Sequence, residues 1–399
     1  MTRSRIAGAA ALVLTSTLLA ACSGDDAAAP TADGGTVAPA ADEEQEVAPL
    51  RVSTNVKRAT VPVDHELEVT ARNGSLTKVT VTSGEGKLAG KLAQDGSAWT
   101  ATGRLEPGQQ YVVRAVGEDA EGSRRTETDK FSTDDLTLDE QTYPSVAPLG
   151  GETVGVGMPV IVTFDVPVTD KASFERHMTV DSAPEQPGSW HWMSDYEARW
   201  RPKAYWKPGT DVSVDVDINS VDAGNGIYGQ ESRKVDFTVG DANIYKVNMD
   251  THQMQVFSNG SLLRTIPITT GEEPAFTTRS GVKVIIEKFD SKRMNSETVG
   301  IDPNSPDGYN IGNVQYAMRV TYSGEFVHAA PWSVGSQGSA NVSHGCTGMS
   351  TENAAWLYNM TKRGDVVEYT GTDRWMTLDN GYGDWNASYA EYRKGSALS

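Results

Sequence analysis

Cysteine is almost missing from this chain. Its 399 residues hold two, Cys22 and Cys346, too few for a disulfide framework. Basic charge is short as well. Lys and Arg number 35 against 53 Asp and Glu, a formal net charge of −18, so the basic face that nucleic acid requires is not expected. Beyond the N-terminus no apolar run reaches the roughly 18 residues of a membrane helix, which excludes a multi-span membrane protein. What the chain does have is the composition of a folded protein, 38% hydrophobic and 22% charged, and length for two to three domains of about 100–200 residues each. The acid is unevenly spread. Residues 22–50 carry seven acidic groups and no basic one, whereas 241–399 carry 13 basic against 17 acidic.

The N-terminus reads as an address. Arg3 and Arg5 precede a short apolar stretch, Ile6 to Ala21, ending in Leu19-Ala20-Ala21-Cys22. That is a secretory leader over 1–21, and its ending resembles a bacterial lipobox in which Cys22 is lipidated. A plain secretory cleavage with Cys22 incidental is the alternative. Residues 22–48 hold almost no large apolar side chain, so nothing there offsets the entropy of ordering, and an acidic flexible tether is expected. The expected location is the outer face of the cell membrane, held by a lipid on Cys22. Cys346 is then a lone thiol in an oxidising compartment: a reactive group, an intermolecular bridge, or a small buried hydrophobe.

From about 50 to 240 apolar residues alternate. Val79 and Val81, Tyr111 to Ala115, Val160 to Phe164, and Val212 to Ile218 each step by two, as half-buried antiparallel strands do. Asn73-Gly74, Pro107-Gly108, Pro208-Gly209 and Asn225-Gly226 separate them as turns. Trp99 is echoed by Trp200, and Leu105-Glu106-Pro107-Gly108 by Trp206-Lys207-Pro208-Gly209, about one hundred residues on. Two tandem immunoglobulin-like β-sandwiches, 49–137 and 138–240, account for the echo. The Asp222-Ala223-Gly224-Asn225-Gly226 loop has only one carboxylate for a cation, and a hairpin turn explains it better.

After Gly240 the pattern changes. Ile244–Met249 and Gln253–Phe257 read as strands, with an Asn259-Gly260 hairpin turn into Leu262–Thr269. Val282–Phe289, Met318–Thr321 and Glu325–His328 read as further strands. A small, polar loop then leads into Ser343-His344-Gly345-Cys346, with Ser350 the N-cap of a helix to about Lys362 and Gly364 its stop. A domain over 241–370 and a C-terminal extension over 371–399 follow from this reading. Cys346 thus stands just ahead of a helix N-terminus. The helix end and a nearby imidazole both favour the thiolate, lowering the thiol from its free value of about 8.5. His328 ends the preceding strand and is the candidate base. The N–H groups of Gly345 and Cys346 are candidate oxyanion donors. Singly, each residue has a plainer reading: His328 as a core histidine, His344 as a loop residue, Cys346 as an inert thiol. A zinc centre of His328, His344 and Cys346 lacks a fourth ligand and a general-base Glu, so no metal or cofactor is expected.

His328-Ala329-Ala330-Pro331-Trp332 followed by Ser343-His344-Gly345-Cys346 resembles the signature of the L,D-transpeptidase catalytic domain (YkuD type), a His, a gap of fourteen to seventeen residues, then [Ser/Thr]-His-Gly-Cys. Here the gap holds fourteen. Ser305–Tyr309, Tyr322-Ser323-Gly324, Ala330–Gly335, Lys362–Asp365 and Gly383–Asn386 match the lipoprotein subgroup of high-GC Gram-positive bacteria, which places immunoglobulin-like domains first. The resemblance implies a mainly β fold: two tandem sandwiches, then a β-rich catalytic domain with a short helix after the nucleophile. It implies Cys346 as nucleophile, His328 as base and later acid, and the Ala329 carbonyl as orienter of His328. It further implies Ser343, His344 and Gly345 shaping the acyl site, and Met294, Tyr309, Trp332 and Ser323-Gly324 lining a donor pocket under a lid of residues 288–316. The implied partners are peptidoglycan stem peptides, a tetrapeptide donor and the diamino-acid side chain of an acceptor, with carbapenem β-lactams as inhibitors. The implied reaction releases D-alanine and forms a 3→3 cross-link through a thioester. Gly348 departs from the family, which usually has Asn there. A non-catalytic wall-binding lipoprotein is the alternative. Papain-like and NlpC-type peptidases place Cys before His, and sortases use an Arg shortly after the Cys; neither pattern is here.

Overall fold

A computed structural model of the chain describes residues 48–399; the leader, the tether and Cys22 lie outside the described residues. Among those described, no helix is long and apolar enough to cross a membrane. The chain is mainly β. Between Arg51 and Thr133 it forms a four-stranded and a five-stranded sheet. In the strand Gln110–Glu118, Tyr111, Val113 and Ala115 are buried in turn while their neighbours face outward, the expected result of a period of two. The Tyr111 hydroxyl accepts from the Glu106 backbone N–H at 2.8 Å, a tyrosine pinning the turn before its own strand. Between Gln141 and Val239 two four-stranded sheets follow, with a small three-stranded one beside them. The echoed tryptophans, Trp99 and Trp200, are both buried. Asp222 accepts from the Gly224 N–H at 2.7 Å in a hairpin turn with Asn225 and Gly226 at positive φ.

The last third builds two sheets, whose strands are numbered here from β1. The first is five-stranded. Its order is β3 (Ser261–Pro267), β2 (Gln253–Ser258), β1 (Asn243–Asn248), β9 (Val366–Thr370), β4 (Gly281–Val284). The second runs β5 (Glu287–Asn295), β6 (Asn310–Arg319), β7 (Phe326–Ala329), β8 (Thr347–Met349), with β7 and β8 parallel. Helix α1 (Thr351–Met360) packs Ala354 and Leu357 into the core against Met318 and Val327.

Three local expectations are corrected and one is given its form. Val282–Phe289 is two strands in two sheets, because the buried pair Ile285-Ile286 carries the chain from one sheet to the other. The 288–316 lid is mostly a β-hairpin, β5 with β6, around a single 3-10 turn at Ser296–Val299; its alternating polar residues suit exposed strands. The strand β8 separates Cys346 from α1, whose N-cap is Ser350. The helix ends at Met360 with Thr361 extended, so Gly364 belongs to the turn beyond it.

The second sandwich and the last third share one core. Val154, Val156 and Met158 pack in the same cluster as Val284, Ile286, Val366 and Tyr382. Backbone joins backbone across this seam: Gly155 N–H donates to Arg363 O and Gly157 N–H to Gly364 O, each at 2.8 Å. A Cβ at Gly155 would lie 2.2 Å from Asp365 N and 2.3 Å from Gly364 C, main-chain atoms that cannot move aside. Gly155→Ala should therefore cost about 2–3 kcal/mol as a lowered urea midpoint; an unchanged midpoint would show that the seam carries no stability.

Candidate active site

The parallel pairing of β7 with β8 sets His328 opposite Gly348 and Val327 opposite Thr347. Side chains alternate along a strand. Cys346, two residues before Gly348, therefore faces the same side as His328. Both line one cavity of about 360 Å³, together with Met294, Tyr309, Trp332, Ser343 and His344. Gly348 lines it as well. A Cβ there would meet Ala330 Cβ at 2.8 Å and Thr269 Cγ2 at 3.1 Å. The space of the expected amide is thus closed by an alanine and a threonine, and glycine is what fits.

His328 is buried, 5% exposed. Its Nδ1 lies 2.8 Å from the Ala329 carbonyl oxygen. A carbonyl only accepts, so Nδ1 carries the proton and Nε2 of the neutral ring is bare. Burial holds the imidazole below its ordinary value, the Ala329 bond opposing it, so the ring is neutral at pH 7. The half-exposed indole of Trp332 stacks over it with centroids 5.9 Å apart.

Cys346 is half-buried. Its Sγ donates to the Gly324 carbonyl at 3.7 Å. Burial pushes the thiol up to about 12; the Phe326 backbone N–H pulls it down and the Glu325 charge adds to the rise. The expected ionised sulfur is corrected here. With β8 between them, the helix end is more than a turn away and its field has faded, so the resting pair is a neutral thiol and a neutral imidazole.

Ser343 and Gly345 organise the loop. Ser343 Oγ donates to Cys346 O at 2.6 Å and accepts from Gly345 N–H at 3.1 Å. Gly345 N–H is therefore engaged, which corrects its expected role as an oxyanion donor. Thr278 Oγ1 donates to Gly345 O at 2.9 Å. Exposed His344 sits between Phe276 and Tyr309, at 4.3 and 5.0 Å between centroids. Burial, and the negative charge that Cys346 carries once ionised, push the Tyr309 hydroxyl up to about 12, so it stays a neutral donor.

Ser323 and Gly324 do not line the first cavity. They border a second one of about 410 Å³, which shares Tyr309 and His344 with the first, and the turn between β6 and β7 meets the sulfur through the Gly324 carbonyl. Among the described residues, no group of three or more His, Cys, Asp or Glu is placed to hold a metal ion.

Sequence reasoning passed over the charges next to Cys346. Glu325 is 5% exposed and Lys283 fully buried; their charged atoms meet at 2.6 Å, and Arg279 Nη1 reaches the other carboxylate oxygen at 3.0 Å. Lys283 Nζ also lies 3.7 Å from the Tyr369 ring centroid, and Tyr369 bonds Thr347, next to Cys346, at 2.7 Å. A signal existed. Lys283 interrupts the apolar run Val282–Ile286, and a charge inside such a strand needs a buried partner.

Comparison with known proteins agrees with this architecture. Residues 58–222 match the bacterial Ig domain in a single span, and residues 242–368 match the L,D-transpeptidase catalytic domain. The fold and the site define an enzyme of that catalytic type carried behind immunoglobulin-like sandwiches. L,D-transpeptidase 2 of Mycobacterium tuberculosis is 36% identical over 99% of this chain and 97% of its own length. L,D-transpeptidase 5 of the same species is 32% identical over 83% of this chain and 73% of its own. An LD transpeptidase solved in complex with imipenem is 41% identical, covers 57% of this chain and 97% of its own, and superposes with a TM-score of 0.50. The chain belongs to the L,D-transpeptidase family.

The thiol's high value makes a direct prediction. Alkylation of Cys346 by iodoacetamide should climb steadily with pH through 10, since only thiolate reacts; a plateau near neutral pH would show an ion pair at rest instead.

Proposed function

We propose that the chain forms 3→3 cross-links in peptidoglycan, with Cys346 as nucleophile and His328 as base and acid. The observation that carries this reading is the 2.8 Å bond from His328 Nδ1 to Ala329 O, which leaves Nε2 free to take a proton in the cavity that also holds Cys346. As Sγ attacks the carbonyl carbon of the L-centre–D-alanine bond of a donor tetrapeptide, Nε2 takes the thiol proton. No standing thiolate is needed, because the proton leaves as the bond forms. The tetrahedral oxyanion is met by the Cys346 N–H and by neutral donors of the cavity wall. Nε2–H then protonates the leaving nitrogen, D-alanine departs and a thioester remains. The side-chain amine of an acceptor's diamino acid attacks that thioester, gives its proton to Nε2 and releases the sulfur, which is reprotonated.

Met294, Tyr309, Trp332, Ser343, His344 and Gly348 border the cavity that would take the donor stem. The β5–β6 hairpin, which supplies Met294, would act as its cover. Ser323 and Gly324 would serve from the second cavity. Carbapenems should open on the same sulfur; the solved relative in complex with imipenem supports this. We further propose that Cys22 carries a lipid and holds the enzyme at the outer face of the membrane. Cys22→Ser should then move the protein from the membrane fraction to the soluble one.

Intact-protein mass spectrometry after incubation with a disaccharide-tetrapeptide tests the chemistry. Wild type should show an acyl adduct with loss of D-alanine, and a dimer. Cys346→Ala should show neither, and His328→Ala should acylate about 10²–10⁴ times more slowly. Wild type without adduct or dimer would leave a non-catalytic wall-binding protein as the better reading.

A further inference from the structure

Segment 371–399 leaves the five-stranded sheet and docks on the second sandwich. Arg199, 2% exposed, donates to Gly381 O at 2.8 Å and pairs with Asp384 at 3.2 Å. Tyr392 donates to Asp384 at 2.9 Å. Asn386 bonds both the N–H and the carbonyl of Val282, at 2.8 and 2.7 Å. The segment is thus tied to two separate parts of the fold.

One residue of it reaches the nucleophile's surroundings. Asn380 Oδ1 accepts from the Ser323 N–H at 2.9 Å, and its Nδ2 donates to Ser323 Oγ at 3.0 Å. Ser323 lies in the turn Thr321–Glu325, closed by Gly324 N–H to Thr321 O at 3.4 Å and by Val320 N–H to Glu325 O at 3.0 Å. Gly324 has φ +100, a conformation open to glycine alone at little cost, and its carbonyl is the acceptor 3.7 Å from Cys346 Sγ. Ser323 is itself exposed. The bidentate amide fixes the backbone of an exposed turn built around a glycine. Other bonds hold side-chain atoms of the turn: Arg279 Nη1 and Thr321 Oγ1 meet Ser323 Oγ at 3.1 and 3.2 Å, Thr321 Oγ1 accepts from the Glu325 N–H at 2.9 Å, and the Glu325 carboxylate pairs with Arg279 and Lys283. Of the side-chain bonds to this turn from outside it, only the Asn380 amide takes the Ser323 backbone N–H.

We propose that Asn380 is a positioning residue for acyl transfer: from the C-terminal segment it fixes the Thr321–Glu325 turn, so that the Gly324 carbonyl holds the Cys346 thiol in one rotamer. This rests on Cys346 being the nucleophile. The amide acts through two bonds to one residue, which locks the turn's orientation as well as its distance. Gly381, the next residue, adds steric support: a Cβ there would meet Val320 O at 3.1 Å and Thr321 Cα at 3.2 Å, so the segment lies against the foot of the turn. A loosened turn would lose the acceptor and admit water to the sulfur. General reactivity and productive acylation should then move in opposite directions.

Full-length protein carrying Asn380→Ala or Asn380→Asp tests this against wild type, using imipenem acylation followed by intact-protein mass spectrometry, iodoacetamide alkylation against pH, and thermal melting. In Asn380→Ala, acylation should fall about tenfold. The alkylation profile should shift down by about one pH unit as the sulfur hydrates. Asn380→Asp should restore both, since one carboxylate oxygen still accepts from Ser323 N–H and the other takes its hydroxyl proton. Rescue by Asp separates positioning from folding, even if Asn380→Ala also lowers the melting temperature. The proposal is overturned if Asn380→Ala leaves both rates within about twofold of wild type, or if Asn380→Asp is as impaired as Asn380→Ala. A wild type without imipenem on Cys346 would instead overturn the nucleophile assignment; a labelled wild type matched by Asn380→Ala would overturn the positioning role alone.

Discussion

The site depends on one piece of strand registry, the parallel pairing of Phe326–Ala329 with Thr347–Met349. Side chains alternate along a strand, so a slip of one residue would turn the imidazole to the opposite face from the sulfur. The register is enforced from both ends. Thr269 and Gly348 exchange N–H···O bonds at 2.9 Å, and Thr278 and Ser343 tie the approach to Cys346. Val327 and Met349 bury the other face in the core, where the one polar side chain of β8, Thr347, is paired with the Tyr369 hydroxyl.

Burial then sets the chemistry. It raises the thiol and lowers the imidazole, and both shifts favour the uncharged forms. The two groups are thus matched as a neutral donor and a neutral acceptor. Glu325, Lys283 and Arg279 form a compact charged set next to Cys346. Breaking such a set would leave a buried charge unpaired, whereas intact it adds rigidity more than stability.

Much of this was legible in the residues. Alternation and spaced turns marked the sandwiches, and the Asn259-Gly260 dipeptide marked the hairpin that joins β2 to β3. The His328 and Ser343–Cys346 spacing marked two side chains that line one cavity. What escaped was set by contacts distant in sequence. The division of Val282–Phe289 depends on which sheet each half finds. The short strand β8, three residues long, is too brief to show a period, so the helix dipole was credited to a sulfur it does not reach. The place of Ser323 and Gly324 depends on how a turn folds against Cys346. Asn380 lies 57 residues from its partner in a stretch with no periodic pattern, so nothing in the sequence connects the two.

The core shared across the seam has a consequence for how the protein came to be assembled. The second sandwich supplies Val154, Val156 and Met158 to the same apolar cluster as Val284 and Val366. Cutting the chain near Gly240 would leave those last two without their cover and the backbone bonds at Arg363 and Gly364 without donors. The sandwich is therefore less a detachable spacer than the missing half of the enzyme's foundation. Recombination that exchanged it for an unrelated module would have to replace the whole mating surface at once.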